Sequence, residues 1–136
     1  MDTSKEYIKM CENWDLQTDR VPQVCDFYTE SIRDGAGTMV FVISGDDLKY
    51  TFDPNYYTWL PRQDQLQEMV LGQITRAYNL WTMITHFNEF SRDSGTVSMF
   101  DRQTWYYMTM EKLWLAFVMK EKFNKIWDGK NWINQN

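Results

Sequence analysis

Adjacent acidic side chains are the first candidates for chemistry in this sequence. Asp46 and Asp47 follow Gly45, directly after an apolar segment that is typical of a β-strand. Two neighbouring carboxylates could bind a cation, but the spacing of a calcium loop is missing, and Asp after Gly is common in turns. We therefore predict that Asp46 and Asp47 lie in a turn and that, with the nearby Asp53, they contact a binding partner.

The single histidine and the two cysteines are the other residues that could act in catalysis or bind a metal. His86 lies in no HExxH motif and has no second histidine as a partner, which a zinc site would need. Cys11 falls in a predicted helix and Cys25 in a predicted strand, without a CxxC pair, so we expect two free, reduced thiols. The sequence therefore predicts a protein that is not an enzyme, with no catalytic residue, metal site or cofactor.

A second candidate site lies at a predicted helix start, in the segment TWLPRQDQLQEMV of residues 58–70. Arg62 falls near the N-terminus of this helix, where a guanidinium and the first-turn amides both favour anions. If Trp59 stacked on a base while Arg62 bound the phosphate, the pair would form a nucleotide site. The alternative is a capped helix start whose side chains form a few hydrogen bonds. The glycines within 35–37 do not form a phosphate loop, because the GxxxxGKS pattern is absent.

Local patterns predict a small sheet preceded by a short helix. Tyr7, Ile8 and Cys11 share one face of a helix near the N-terminus, and residues 14–22 form a connector. Residues 24–60 then hold segments of high β-propensity separated by turn signals. The first two segments are close enough to form a hairpin, and the second is apolar enough to be covered on both faces. We predict strands in QVCDFYTESI, in MVFVI, at 48–52 and at 57–60, with a turn at Asp-Pro-Asn between the last two.

Two long helices are predicted in the second half of the chain. Pro61 fits the first position of a helix, and apolar residues then recur at steps of three and four, which predicts a helix over 62–90. A loop is expected at 91–98 and a second helix over 102–125. In the tail IWDGKNWI, the Asp-Gly pair predicts a tight turn that brings the two flanking tryptophans together. These elements predict an α+β fold in a single domain over 1–136, with a small antiparallel sheet packed against two long C-terminal helices and a short N-terminal helix.

Charge and aromatic content narrow the class of partner. Residues 1–61 carry a net charge of −6 and residues 62–136 a net charge of +1. Duplex nucleic acid is excluded as a direct partner because phosphate contacts need clustered Lys and Arg, whereas a basic protein fits this balance. Aromatic residues make up 17% of the chain, so some rings are expected at a binding surface. No apolar stretch is long enough for a membrane span, and we expect a cytosolic protein.

Three blocks of the sequence resemble small proteins encoded by bacteriophages and prophages. They cover about a third of the chain and read MDTSKEYIKMCE at the N-terminus, WLPRQDQLQEM at 59–69, and EKLWLAFVMKEKFNKIWDGKNW at 111–132. The resemblance transfers no functional residues. It implies a context, since small phage proteins often act by occupying a host protein or a signalling molecule, and CRISPR effectors are frequent targets.

Our leading hypothesis is a phage accessory protein that acts without enzymatic activity in the host cytosol. It binds and inhibits a host protein, in particular a host-defence nuclease in the manner of an anti-CRISPR protein, through an acidic and aromatic surface. One alternative is a binder that sequesters a nucleotide signal. Another is a structural protein of the virion, in which tryptophans form the interface of a homo-oligomer.

Overall fold

The computed structural model describes most of the chain as an α+β protein with a small antiparallel sheet, which confirms the predicted fold class. Two compact units follow each other in sequence, unit 1 from Met1 to Arg62 and unit 2 from Gln63 to Asn136. The single domain and the packing of the sheet against the helices stay predictions. Among the helices that the structure describes, none is both long and apolar enough to cross a membrane. The described residues are 1–18, 20–30, 39–71, 80–92 and 109–135.

Unit 1 contains the sheet and the predicted N-terminal helix. Ser4 begins helix α1 by accepting a hydrogen bond from Tyr7 N, and the Tyr7 hydroxyl donates to Pro61 O at 2.5 Å. The central strand β1 pairs antiparallel with β2 and with β3, so β2 and β3 form the two edges of the sheet. The elements are α1 (Lys5–Cys11), α2 (Trp14–Gln17), β1 (Phe27–Glu30), β2 (Met39–Val42), a 3-10 helix (Asp47–Lys49) and β3 (Tyr57–Leu60).

Several local predictions for unit 1 are wrong. Residues 14–22 were expected to form a connector, but the side chain of Asn13 accepts from Asp15 N and begins the one-turn helix α2. The strand predicted at 48–52 is replaced by the 3-10 helix and the residues after it. Strand β2 is not covered on both faces, because it lies at an edge and leaves Met39 and Val42 exposed.

Unit 2 is built around a buried helix. Its ring contacts include Phe87 stacked on Trp114 with centroids 3.8 Å apart, which joins α4 to α5. The helix predicted over 62–90 is wrong as one continuous element, because the structure has two separate helices there that contact each other, which the two ends of one long helix could not do. The second predicted helix is confirmed over Met110–Phe123, and residues 72–79 and 102–108 lie outside the described residues. The elements are α3 (Gln63–Leu71), α4 (Leu80–Arg92), α5 (Met110–Phe123), β4 (Lys125–Trp127) and β5 (Trp132–Asn134).

The C-terminal end of α5 and the turn of the hairpin that follows it each contain a residue with a positive φ. Asn124 adopts the left-handed conformation that ends α5. Trp127 and Trp132 then face each other across the hairpin of β4 and β5 with ring centroids 5.1 Å apart, as predicted, and Gly129 has a φ of 96° in the turn. The loop predicted at 91–98 is wrong at its first two residues, which continue α4, and its other residues lie outside the described part of the chain.

Cys25 was predicted in a strand, but it lies at a bulge just before β1. Its N–H donates to Ile43 O at 2.9 Å, and Ile43 N donates to Asp26 O at 2.8 Å, so Cys25 and Asp26 both oppose Ile43. Asp26 N also donates to Gln23 O at 3.0 Å, which closes a turn. Cys25 has a φ of 70°, a left-handed conformation that is unfavourable for a residue with a Cβ atom.

The substitution Cys25→Gly is expected to raise the free energy of unfolding by about 0.5–1 kcal/mol, because glycine adopts this conformation without steric conflict. The exposed thiol contributes little packing. Urea denaturation followed by tryptophan fluorescence measures the change. Cys25→Ser is the matched control, since it removes the thiol and keeps the Cβ atom, and should leave stability unchanged. Equal effects of Gly and Ser would contradict the assignment to backbone strain.

Candidate functional site

The residues from Ser44, after β2, to Tyr57, the first residue of β3, carry the predicted acidic side chains, and we call them the 44–57 segment. The Asp47 carboxylate accepts hydrogen bonds from Ser44 N at 2.7 Å and Ser44 Oγ at 2.6 Å. These bonds lower the pKa of Asp47 and turn the chain into the 3-10 helix. Asp46 pairs with Lys49 at 2.8 Å, and both side chains remain largely in solvent. Asp47 thus has a structural role, while the carboxylate of Asp46 is open to a partner.

Asp53 organises the second turn of the 44–57 segment. Its carboxylate accepts from Asn55 N at 2.9 Å and from Asn55 Nδ2 at 2.8 Å. Its carbonyl oxygen accepts from Tyr56 N and Tyr57 N, each at 2.9 Å. The predicted turn at Asp-Pro-Asn is therefore confirmed, and it leads directly into β3.

Two tyrosines of the 44–57 segment project into solvent. Tyr50 is 71% exposed, and Tyr56 and Leu48 are also exposed. Tyrosine gives a large contact area at a small cost in conformational entropy, and it is enriched among the residues that dominate binding energy at interfaces. Exposed rings and an exposed carboxylate therefore occur within one short segment.

An aromatic cluster holds this segment on the sheet. Phe52 stacks on Tyr28 of β1 with centroids 4.8 Å apart and meets Tyr57 edge-on at 5.4 Å. Phe41 of β2 lies 6.2 Å from Phe52 and 6.0 Å from Tyr57. Because four rings from three strands and the segment interlock, the 44–57 segment is anchored at its middle and not only at its ends.

Trp59 does not belong to the binding surface that the sequence predicted. It is only 2% exposed, and the Arg20 guanidinium lies over its ring at 4.1 Å from the centroid. Arg20 is in turn held by Asp26 at 2.6 Å. Tyr28, which lies opposite Trp59 in the sheet, is also buried, and this burial raises the pKa of Tyr28 to about 12. The prediction of Trp59 as a surface ring is therefore wrong, because a residue far earlier in the chain covers it.

Arg62 lies directly before α3, as expected, and its side chain is partly exposed. Its Nη1 donates to Cys25 O at 2.7 Å, which ties the end of β3 to the bulge before β1. Since the Trp59 ring lies under Arg20, it is closed to a nucleotide base that Arg62 could hold. The structure therefore does not bring these residues together as an open nucleotide site.

The other candidates for catalysis do not converge. Cys11 and Cys25 are free thiols, as predicted, and burial raises the pKa of Cys11 well above its usual value, so its thiol stays protonated. His86 is exposed on α4 and borders a cleft of about 600 Å³. No group of three or more metal-ligating side chains occurs in the described ranges. The residues lining the His86 cleft are His86, Glu89, Phe90, Arg92, Lys120 and Glu121.

A second cleft, in unit 1, was missed by the sequence analysis. It has a volume of about 340 Å³ and lies where α1, α2 and the start of β3 meet. The signal in the sequence is a tryptophan between two acidic residues in ENWD, but the connector assignment hid it. The residues lining this cleft, which we call the Trp14 cleft, are Glu12, Trp14, Gln17, Pro54 and Thr58.

Comparison with known proteins adds no functional assignment. No protein-family model matches the chain, and no curated protein and no solved structure shows significant similarity to it. The resemblance to phage proteins therefore stays a prediction, and the function is argued from the residues alone.

Proposed function

We propose that this protein is a non-enzymatic phage accessory protein that binds and inhibits a host protein through the 44–57 segment. The observation that carries the proposal is the presence of Asp46, Tyr50 and Tyr56 in solvent on one anchored segment. Anchoring supports binding because less conformational entropy is lost when a partner orders the surface.

The net charge supports a basic partner. Unit 1 carries 11 acidic against 6 basic residues, so it accounts for the whole net charge of −5, whereas unit 2 carries 8 of each. A negative field of this kind speeds the encounter with a positively charged surface and makes binding sensitive to salt. The nucleic-acid-binding face of a host-defence nuclease has that charge, and an inhibitor that occupies this face would act in the manner of an anti-CRISPR protein.

The phage context and the host cytosol are part of the proposal and rest on the sequence resemblance. The alternative of nucleotide sequestration loses support because Trp59, its intended stacking ring, is buried. The alternative of a homo-oligomer is tested by the same experiment as the inhibitor, since self-association would appear as the chain binding itself.

The test isolates the partner from host lysate at low salt and then compares variants by affinity. The double variant Asp46→Asn with Tyr50→Ser is expected to weaken the complex by at least tenfold, because it removes an exposed charge and an exposed ring. Raising the salt concentration should weaken the wild-type complex as well. We prefer Asp46 to Asp47 or Asp53, because those two carboxylates hold the turns of the segment.

Unit 2 offers a matched control, Glu89→Gln with Trp81→Ser, which removes an exposed carboxylate and an exposed ring from α4. This variant should bind the partner as tightly as the wild type. A complex that is unaffected by salt and by the unit 1 variant would contradict the proposal. A pull-down that contains a nucleotide and no protein would favour sequestration instead.

A further inference from the structure

The Trp14 cleft combines an aromatic wall with an acidic group. Trp14 is 62% exposed although it begins a helix that packs in unit 1, so much of its ring surface is open. Glu12 ends α1 at the same cleft. An aromatic face beside a carboxylate is the arrangement that attracts an organic cation, by cation–π interaction and by charge.

The other lining residues restrict what can bind. The Gln17 amide is occupied, because its Oε1 accepts from Trp59 N at 2.8 Å and its Nε2 donates to Trp59 O at 3.0 Å and Cys11 O at 2.7 Å. Pro54 adds an apolar wall without a side-chain donor. Thr58 is buried, so Glu12 is the charged acceptor at the cleft, and a ligand that carries a positive charge and donates hydrogen bonds to it fits best.

Among the described residues, none forms an ion pair with the Glu12 carboxylate. Partial burial raises the pKa of Glu12, and the charge of Lys9 lowers it without a close ion pair between the two side chains. A cation inside the cleft would offset the free-energy cost of partly desolvating the charged carboxylate. The net negative charge of unit 1 also favours the binding of a cation.

We propose that the Trp14 cleft binds the side chain of an arginine that a basic protein partner presents. A planar guanidinium can stack on Trp14 and donate two hydrogen bonds to Glu12, whereas a lysine ammonium offers a point charge only. A volume of about 340 Å³ suits one side chain of this size. The inference rests on the proposed function, and it is linked to it by position, because Pro54 lines the cleft and also belongs to the 44–57 segment.

The test uses small probes and needs no identified partner. The full chain, labelled with ¹⁵N, is titrated with N-acetyl-arginine amide to tens of millimolar. We expect saturable shifts of the Trp14 indole N–H and of amides in α2. N-acetyl-citrulline amide, which has nearly the same shape and no charge, should shift these signals at least fivefold less. N-acetyl-lysine amide should bind more weakly than the arginine probe, and equal or tighter binding would overturn the choice of arginine.

Two variants assign the binding to the cleft. Glu12→Gln and Trp14→Leu should each weaken arginine binding at least fivefold, and their amide spectra show independently that they fold. Glu6→Gln is the matched control, because it removes one carboxylate from α1 outside the cleft and should change affinity less than twofold. Equal shifts with arginine and citrulline, or unchanged binding in both cleft variants, would overturn the inference.

These outcomes separate the two proposals. Loss of probe binding without loss of the protein complex removes the arginine site and leaves the 44–57 segment as the binding surface. If the arginine probe binds but the affinity of the protein complex is unchanged by Asp46→Asn with Tyr50→Ser, the arginine site is supported and the proposed function is contradicted.

Discussion

Replacing Asp26 by alanine is expected to lower the free energy of unfolding by about 3 kcal/mol. The Asp26 side chain is 1% exposed and accepts from Arg20 Nη2 at 2.6 Å and from Gln23 N at 2.9 Å. Removal of the carboxylate leaves the guanidinium of Arg20 without its buried counter-charge. The Nε atom of Arg20 is buried without a hydrogen-bond partner among the described residues.

The reason for the size of this effect is the position of Arg20 over Trp59. A guanidinium that is freed from Asp26 must either stay desolvated against the ring or turn away and expose the indole. Either outcome weakens the sheet face that also holds the 44–57 segment. The loss of Asp26 should therefore reduce partner binding indirectly, in proportion to the fraction of the protein that is unfolded.

Urea denaturation of Asp26→Ala, Asp26→Asn and Asp46→Asn separates burial from charge. Asp26→Asn keeps an acceptor for Gln23 N and should be less destabilising than Asp26→Ala. Asp46→Asn removes the same charge from an exposed position and should change stability by less than about 0.5 kcal/mol. A loss below 1 kcal/mol for Asp26→Ala would contradict the role of the ion pair.

Replacing Gln17 by leucine is the second change with a large expected effect, about 3 kcal/mol of destabilisation. Strand β3 is an edge of the sheet, and in the part of the chain that the structure describes, no strand pairs with the outward groups at Trp59. The Gln17 amide takes the place of that strand by pairing with both the N–H and the C=O of Trp59. A leucine of similar volume would leave these buried groups and Cys11 O unsatisfied.

A control from the same region isolates the hydrogen bonds from other effects of leucine. Gln23→Leu makes the same chemical change at an exposed side chain, and stability should stay within about 0.5 kcal/mol of the wild type. Gln17→Leu should also increase self-association, because it uncovers the β3 edge. A monomeric Gln17→Leu variant with wild-type stability would show that β3 does not depend on this amide.

Features set by neighbouring residues were predictable from the sequence. The Asp-Pro-Asn turn and the meeting of Trp127 with Trp132 each depend on residues a few positions apart. Helical periodicity likewise found the helical residues of α3, α4 and α5, although it joined α3 and α4 into one helix. Local rules of capping, turns and spacing are sufficient for such features.

Features set by distant residues were missed. Trp59 was predicted as an exposed ring because nothing near it in sequence shows that Arg20 covers it. The Trp14 cleft combines the end of α1 with Pro54, so it exists only after β3 is placed. The 3-10 helix at Asp47 was missed for a different reason, since a side chain bonded to Ser44 overrides the β-propensity of the residues that follow.

The most direct test of the central claim places a photo-crosslinker on each unit. Tyr50 in unit 1 and Trp81 in unit 2, which is 75% exposed, are each replaced by p-benzoylphenylalanine, and the proteins are irradiated in host lysate. Our account predicts that the Tyr50 position forms one dominant covalent adduct with a host protein, that this adduct diminishes at high salt, and that the Trp81 position does not form it. The same adduct from Trp81, with none from Tyr50, would contradict the claim that the 44–57 segment is the binding surface.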